Sequence, residues 1–150
     1  MRKKIFRRSD GLSTETHYLY DHKNRLIKSY RQYSSGLSAI CDYDYFENRK
    51  LKQKILKRSD GALSRETYQY DERGLLISAN YDNMDFWLTG EIHFVYDKND
   101  LLQNGYYKGK NSKKAVITFS NDINKNVIRI HWDFSDSKTQ TYIFDYEKIR

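Results

Sequence analysis

The stretch Tyr-Gln-Tyr-Asp-Glu-Arg-Gly-Leu-Leu, at positions 68–76, contains the pattern that decides the fold. Tyr68 and Tyr70 are two residues apart, so both rings lie on the same face of a β-strand. Asp71 can accept a backbone N–H two residues further on, and Gly74 tolerates a left-handed backbone, so the residues between them favour a tight turn. Leu76 then begins the next strand. The stretch therefore predicts a β-hairpin.

This pattern recurs along the whole chain at steps of about 25 residues. Its aromatic pairs are Tyr18/Tyr20, Tyr43/Tyr45, Tyr68/Tyr70, Phe94/Tyr96 and Tyr142/Phe144, with Ile117/Phe119 as a weakened copy. In that weakened fifth copy, Ser120 occupies the aspartate position. A longer duplication accompanies the pattern, because Arg-Ser-Asp-Gly at positions 8–11 returns at positions 58–61. Six hairpin repeats therefore fill the chain.

Second turns, marked by dipeptides such as Asp10-Gly11, Ser35-Gly36 and Thr89-Gly90, separate the repeats. The chain has no proline, and 15% of its residues are aromatic, which favours strands. The sequence predicts an all-β fold, an antiparallel up-and-down meander of about twelve strands in a single domain over residues 1–150. So large a sheet curls or splits into two layers. The sequence does not decide between a curled, barrel-like sheet and a sandwich. We interpret the aromatic pairs as core; an exposed stacking platform is the alternative.

The repeat resembles the YD repeat of Rhs-type bacterial proteins, whose unit is roughly Tyr-x-Tyr-Asp-x-x-Gly-Arg-Leu. Positions 68–76 match it most fully, followed by Tyr-Leu-Tyr-Asp-His-Lys-Asn-Arg-Leu at positions 18–26. The glycine of the pattern survives only as Gly74, and its Arg-Leu pair only as Arg25-Leu26. The resemblance implies the repeat fold and a bacterial setting. In large Rhs proteins such repeats wind into a shell around a toxin domain, which six repeats cannot enclose.

Histidines, cysteine and carboxylates form no catalytic or metal-binding motif in the sequence. Glu91 and His93 share a strand face, as do His131 and Asp133, and we interpret both pairs as ordinary packing. The single cysteine, Cys41, excludes an internal disulfide and is interpreted as a small buried apolar residue. No apolar run approaches the ~18 residues of a membrane span, and no signal peptide is recognisable. We therefore expect a cytoplasmic, non-enzymatic protein without cofactor or metal.

Two sets of residues are candidates for binding a partner. The fourth repeat has an insertion that combines rings with acids, as an interface anchor does, and Trp132 is a second aromatic candidate. These candidate partner-binding residues are Tyr81, Asp82, Met84, Asp85, Phe86, Trp87 and Trp132. Each tryptophan has an alternative interpretation as a core residue. The second set is a basic face on a chain of net charge +7, with a further basic turn at positions 108–114, and its residues are Lys50, Lys52, Lys54, Lys57 and Arg58.

These features predict a protein-binding module. Our first hypothesis is an immunity protein that neutralises a bacterial toxin of an Rhs or contact-dependent inhibition system by direct binding; the link to toxins comes from the family resemblance alone. The second is a protein that binds nucleic acid or another polyanion through the basic face. The third is a carbohydrate-binding sheet that uses exposed rings. The sequence leaves the identity of the partner and the oligomeric state open.

Overall fold

A computed structural model describes residues 2–7, 11–83, 89–110 and 112–144. It confirms the predicted all-β meander: twelve antiparallel strands form one sheet in chain order. The strands are β1 Arg2–Arg7, β2 Ser13–Tyr20, β3 Leu26–Tyr33, β4 Ser38–Tyr45, β5 Leu51–Arg58, β6 Leu63–Tyr70, β7 Leu76–Asn83, β8 Gly90–Tyr96, β9 Leu102–Gly109, β10 Lys114–Asn121, β11 Val127–Phe134 and β12 Thr139–Ile143. The sheet ends at β1 and β12, so it is not closed.

The chain divides into two compact units. We call Met1–Tyr68 with Tyr81–Leu88 the N-unit, and Gln69–Asn80 with Thr89–Arg150 the C-unit. The single domain expected over residues 1–150 stays a prediction. Within the described ranges, no helix is both long and apolar enough to cross a membrane.

Five turns of one kind explain why the chain reverses after each of five aromatic strands. The fourth residue of each turn has a positive φ, and these residues are Asn24 (58°), Arg49 (67°), Gly74 (82°), Asp100 (61°) and Lys125 (68°). The N–H of this residue donates to the carbonyl of the first residue of the turn, as from Asn24 to Asp21 at 3.0 Å. The left-handed position expected at Gly74 is confirmed, and the four other residues adopt the same conformation.

An aspartate at the first position stabilises most of these turns. Oδ1 of Asp21 accepts the backbone N–H of Lys23 at 2.9 Å and of Arg25 at 2.8 Å. Asp97 and Asp122 accept the N–H groups two and four residues further on in the same way. These bonds favour the charged carboxylate, so the pKa of Asp21 falls to about 2, chiefly through the Arg25 N–H. The aspartate of the repeat is therefore a turn residue whose charged form the fold prefers.

The fifth repeat has a different frame from the one expected. The sequence suggested Ser120 at its aspartate position, whereas Asp122 makes the turn hydrogen bonds. The strand register shifts between Ser120 and Asn121, as it does between Leu19 and Tyr20 in the first repeat. Asn121 therefore occupies the position of the second aromatic residue.

A shared hydrogen bond explains why asparagine can replace tyrosine there. The hydroxyl groups of Tyr45 and Tyr96 donate to backbone carbonyls of the preceding repeat at 2.8 and 2.9 Å. Nδ2 of Asn121 donates to the corresponding carbonyl, that of Leu102, at 2.9 Å. The polar end of this side chain, which ties one repeat to the repeat before it, is retained although the ring is lost.

One face of the sheet carries the aromatic pairs and most of the buried residues, and we call it the buried face; the opposite face is the open face. Ser78, adjacent to the buried Ala79 in β7, is a buried residue of the open face. In the C-unit the buried face is apolar, with Ile117 only 1% exposed. In the N-unit Tyr18, Ser29 and Cys41 lie opposite one another on it. Burial raises the pKa of Tyr43, on the same face, to about 12. The aromatic pairs thus lie on the face that forms the core.

Candidate binding groove

The open face of the C-unit carries a groove of about 550 Å³ that crosses β8, β9, β10 and β11. Six of its lining residues belong to the open face by strand alternation, and these are His93, Tyr106, Lys108, Lys114, Val116 and Asp133. Ser135, which also lines the groove, lies in the turn after β11. The side chains of Tyr107, Ala115 and Phe134, which also line it, alternate to the buried face. The groove therefore lies on the outside of the densest part of the core.

Strand register builds the floor of the groove. His93 lies opposite Tyr106, Tyr106 opposite Val116, and Val116 opposite Asp133. Side chains opposite one another on neighbouring strands are about 5 Å apart, so these four form a continuous row. Tyr106 is 50% exposed and Val116 is 45% exposed. A tyrosine ring and an aliphatic side chain are therefore presented side by side on a rigid sheet.

Two lysines lie beside this row. Lys108 is directly opposite Lys114, and both are exposed. Lys108 is also opposite Glu91, but the Glu91 carboxylate contacts Nε2 of His93 at 3.2 Å. Among the residues that the structure describes, neither ammonium group pairs with a carboxylate. Like charges directly opposite each other destabilise a sheet, so an anionic group placed between Lys108 and Lys114 would relieve the repulsion.

The groove brings a histidine together with an exposed ring and two lysines. Its histidine contacts Glu91, and in the other pair Nδ1 of His131 contacts Oγ1 of Thr141 at 2.8 Å. In the described parts of the chain no three His, Cys, Asp or Glu residues are grouped as metal ligands. An exposed ring beside two cations fits a partner that brings an apolar and an acidic side chain together.

The candidate partner-binding residues predicted from the sequence fall into three groups. Tyr81 is half-buried, and burial, with a smaller contribution from the charge of Glu66, raises its pKa to about 12; Asp82 is exposed. Trp132 is only 8% exposed, and its ring stacks on Phe134 with centroids 5.6 Å apart, so it lies in the core. The remaining candidates, which lie outside the described residues, are Met84, Asp85, Phe86 and Trp87.

The predicted basic face is neutralised in part by acids that the sequence pattern did not connect to it. Nζ of Lys54 contacts Glu66 at 2.6 Å, and Arg58 contacts Asp60 at 2.6 Å. Strand alternation puts Lys57 on the open face, away from them. Lys50, directly before β5, is half-buried. Nζ of Lys52, near the start of β5, is 5.8 Å from the centroid of the Phe46 ring.

Sequence reasoning missed the groove because its residues come from four strands. A local signal exists, since Tyr106 and Lys108 are two residues apart, as are Lys114 and Val116, and each pair shares a strand face. The basic turn at positions 108–114 was recognised, but only the register of β9 with β10 brings the two pairs together. Alternation identifies the face, and register identifies the neighbours.

No protein-family model matches the chain, and no curated protein matches it. Among solved structures, it is similar to a chain of the Photorhabdus luminescens Tc holotoxin pore, with a TM-score of 0.47 and 16% identity over 90% of this chain. It is similar to a chain of the TcdB2-TccC3 structure, with a TM-score of 0.48 and 16% identity over 93%. A porin-like protein from Bacteroides uniformis gives 0.46 and 16% over 89%. The chain spans 9% and 10% of the two toxin chains and 53% of the porin-like chain.

Proposed function

We propose that this protein is a non-enzymatic binding module that docks an acidic surface of a partner protein in the groove beside Lys108 and Lys114. The observation that carries the proposal is the half-exposed ring of Tyr106 next to two lysines that have no carboxylate partner among the described residues. Exposed rings with cations at their border are typical of the anchors of protein interfaces. A rigid sheet holds these groups before the partner arrives, which lowers the entropic cost of binding.

Within this proposal the partner is a bacterial toxin domain, and the protein is its immunity protein. The support for this step is the resemblance of the repeat sequence to the YD repeat of Rhs-type proteins, together with the absence of a catalytic motif from the sequence. A toxin that acts on nucleic acid or nucleotides needs a cationic active site, whereas the groove is itself cationic. We therefore expect the toxin to be bound through an acidic surface outside such a site, so that inhibition is by steric blocking.

Co-expression with toxin domains taken from the genes that flank the one encoding this protein tests the proposal. We expect a stable complex, protection of the host cell, and about tenfold weaker binding of the Lys108→Glu variant, equivalent to ~1.4 kcal/mol. Lys57→Glu is the matched control, because Lys57 is an exposed lysine on the open face of the N-unit. No complex and no protection, or equal affinity of wild type and Lys108→Glu, would contradict the proposal.

The same two variants separate protein binding from polyanion binding. A polyanion binder should hold a single-stranded oligonucleotide with an affinity that falls steeply with salt, and Lys57→Glu should weaken it as much as Lys108→Glu. We expect weak oligonucleotide binding, because Glu66 and Asp60 already neutralise two cations of the predicted basic face. A steep salt slope with equal losses in both variants would favour the polyanion function instead.

A further inference from the structure

The first strand of the sheet is a copy of the fifth. Positions 1–8 read Met-Arg-Lys-Lys-Ile-Phe-Arg-Arg, and positions 51–58 read Leu-Lys-Gln-Lys-Ile-Leu-Lys-Arg. Three of these eight positions are identical, and four more exchange one basic or one apolar residue for another. The match leads directly into the duplicated Arg-Ser-Asp-Gly turn. β1 is therefore the same kind of strand as β5, fifty positions earlier in the repeat.

The last strand occupies the same place in the repeat as β4, one of the two strands with which β5 pairs. β12 carries Tyr142 at the place in the repeat where β4 carries Tyr43. In the sheet β4 and β5 are neighbours, with Asp42 opposite Ile55. β12 pairs with β11 on one side only, and no described strand lies on its other side. The two outer strands, β1 and β12, thus correspond to two strands, β5 and β4, that pair with each other inside the sheet.

The outer edge of β12 presents backbone groups with which no described strand pairs. The N–H of Phe144 donates to Ile128 at 2.9 Å, and the carbonyl of Lys138 accepts from Phe134 at 2.9 Å, so the even-numbered residues of this segment bond towards β11. By alternation, Thr139, Thr141 and Ile143 direct their N–H and C=O groups away from the sheet. Proteins usually block such edges with charged residues or proline, and positions 139–143 contain neither.

The free edge of β1 has the complementary geometry. In the β4–β5 pair the N–H of Ser59 donates to Ser38 at 2.9 Å, so the odd-numbered residues of β5 bond towards β4. In the equivalent frame of β1, Ile5 directs its backbone groups to the free side, since its even-numbered neighbours bond towards β2. The basic residues of β1 do not forbid pairing, because β5 also has four basic residues and is paired on both sides.

We propose that the chain associates head to tail with a second copy of itself, with β12 of one copy adding to β1 of the next and Thr141 opposite Ile5. This pairing continues the alternation of aromatic and return strands seen throughout the sheet, whereas two β12 strands would place two aromatic strands side by side. The association uses backbone hydrogen bonds at the two edges, which is the chemistry of strand addition. It involves neither wall of the groove and is independent of the proposed function.

Proline substitutions at the two edges test this proposal. Ile5→Pro and Thr141→Pro each remove an N–H that points away from the neighbouring strand, so each hairpin keeps its own hydrogen bonds. Ile5→Val and Thr141→Val are the controls, since they keep the N–H. In sedimentation equilibrium we expect the average mass of the wild type and both controls to rise with concentration above the 18.1 kDa monomer. We expect each proline variant alone to stay monomeric.

Mixing the two proline variants gives the decisive result. Ile5→Pro keeps a working β12 edge and Thr141→Pro keeps a working β1 edge, so the equimolar mixture should form a one-to-one dimer and nothing larger. A wild type that stays monomeric at its highest soluble concentration would overturn the proposal. So would dimers of Ile5→Pro alone, since these require pairing of β12 with β12.

A peptide of positions 1–8 provides a second measurement if a proline variant fails to fold. Added in excess to the wild type, it should occupy the β12 edge and return the average mass to that of the monomer, whereas a peptide of the same composition in scrambled order should not. Equal effects of the two peptides, or no effect of either, would contradict the proposed pairing.

Discussion

The N-unit and the C-unit use the same strand pairing and the same turns, yet their buried faces are chemically opposite. Across β8 to β11, one row of the C-unit consists of apolar or aromatic residues, namely Ile92, Tyr107, Ala115 and Phe134. Across β2 to β5, the row at the same place in the repeat is largely polar, namely Thr16, Arg31, Ala39 and Arg58. A neighbouring row contrasts Ile117 in the C-unit with Cys41 in the N-unit.

This contrast teaches that the order of the strands does not depend on an apolar core. Both units are reversed by the same turns, in which a backbone carbonyl and a positive-φ residue make the same hydrogen bonds. Stability is another matter, because burying an aliphatic side chain contributes about 1.5–3 kcal/mol whereas a buried serine or threonine hydroxyl contributes little beyond its hydrogen bond. The turns specify the meander, and the C-unit supplies most of the hydrophobic stabilisation.

Truncation at equivalent positions should separate the two units most strongly. Ile117→Ala leaves a cavity in the C-unit, and we expect the free energy of unfolding to fall by about 3 kcal/mol. Cys41→Ala removes one small apolar atom from the N-unit, and we expect a loss of about 1 kcal/mol. Urea titrations followed by circular dichroism, and by the fluorescence of the buried Trp132, measure both. Equal losses would show that the polar face of the N-unit is packed as tightly as the apolar one.

A smaller effect, and a reversal of sign, is expected at Gly105. A Cβ added there would lie 3.2 Å from Cδ1 of Ile117 and 3.3 Å from Cγ2 of Ile92, which is too close for a tightly packed core. Gly105→Ala should therefore destabilise the wild type by about 1 kcal/mol, the crowding outweighing the gain of removing a glycine from a strand. In an Ile117→Ala background the same change should stabilise by a similar amount. The matching N-unit residue, Ser29, has a Cβ, which fits the smaller Cys41 opposite it.

A double-mutant cycle in urea measures this coupling. Additive effects of Gly105→Ala and Ile117→Ala would mean that the core moves aside for the new methyl group. The tight packing that distinguishes the C-unit from the N-unit would then be contradicted.

The meander was predictable because the residues that determine its turns are close together in the sequence. In the first, third and fourth turns the aspartate, the left-handed residue and the leucine lie within six residues, and the hydrogen bonds connect positions two to four apart. The frame of the fifth repeat was missed because Asn121 replaces a ring by an amide that makes the same hydrogen bond. Arg49 and Lys125 take left-handed backbones that the turn imposes rather than the residue type. A search for the turn aspartate, rather than for rings, would have identified Asp122.

The groove and the ion pairs were not predictable, because both depend on which residues face each other across strands. Alternation alone makes one side of β5 look cationic, but Glu66 on β6 lies opposite Lys54 and neutralises it. In the same way Tyr106 and Val116 are ten positions apart in sequence and become neighbours only through the register of β9 with β10. Local chemistry specifies the turns, and the turns then specify the register.

Acid should affect the C-unit more than the N-unit. Among the described residues the C-unit has three turn carboxylates of lowered pKa, Asp71, Asp97 and Asp122. The N-unit has two, Asp21 and Asp60, because Phe46 replaces the aspartate of the second repeat. A lowered pKa means that the stabilisation is present above pH ~4, the ordinary value of an aspartate, and is lost as the pH falls towards 2.

Hydrogen exchange at several acidic pH values measures this loss for each unit. Asp97→Asn keeps an acceptor for the turn but removes the charge, so it should lower the stability of the C-unit near neutral pH and reduce its loss as the pH falls below ~4. A parallel pH dependence in Asp97→Asn and wild type would exclude this carboxylate as a contributor. A steeper loss in the N-unit than in the C-unit would contradict the comparison.

The thiol of Cys41 should report the opening of the N-unit without any mutation. Cys41 is 4% exposed, and burial raises its pKa, so the folded form should be nearly inert to a thiol reagent such as an aromatic disulfide. Labelling must then proceed through the opened N-unit, where the thiol has its ordinary pKa of ~8.5. The rate relative to a free thiol gives the opening equilibrium, and its midpoint in pH identifies the reacting state.

We expect that midpoint near 8.5, and an opening free energy lower than the one that hydrogen exchange gives for the amides of β10 around Ile117, because the buried face of the N-unit gains less from apolar burial. A midpoint well above 8.5 would mean that the thiol reacts within the folded unit. An opening free energy equal to that of β10 would mean that the polar buried face does not make the N-unit less stable than the C-unit. Ile117→Ala and Cys41→Ala should then lower the free energy of unfolding equally.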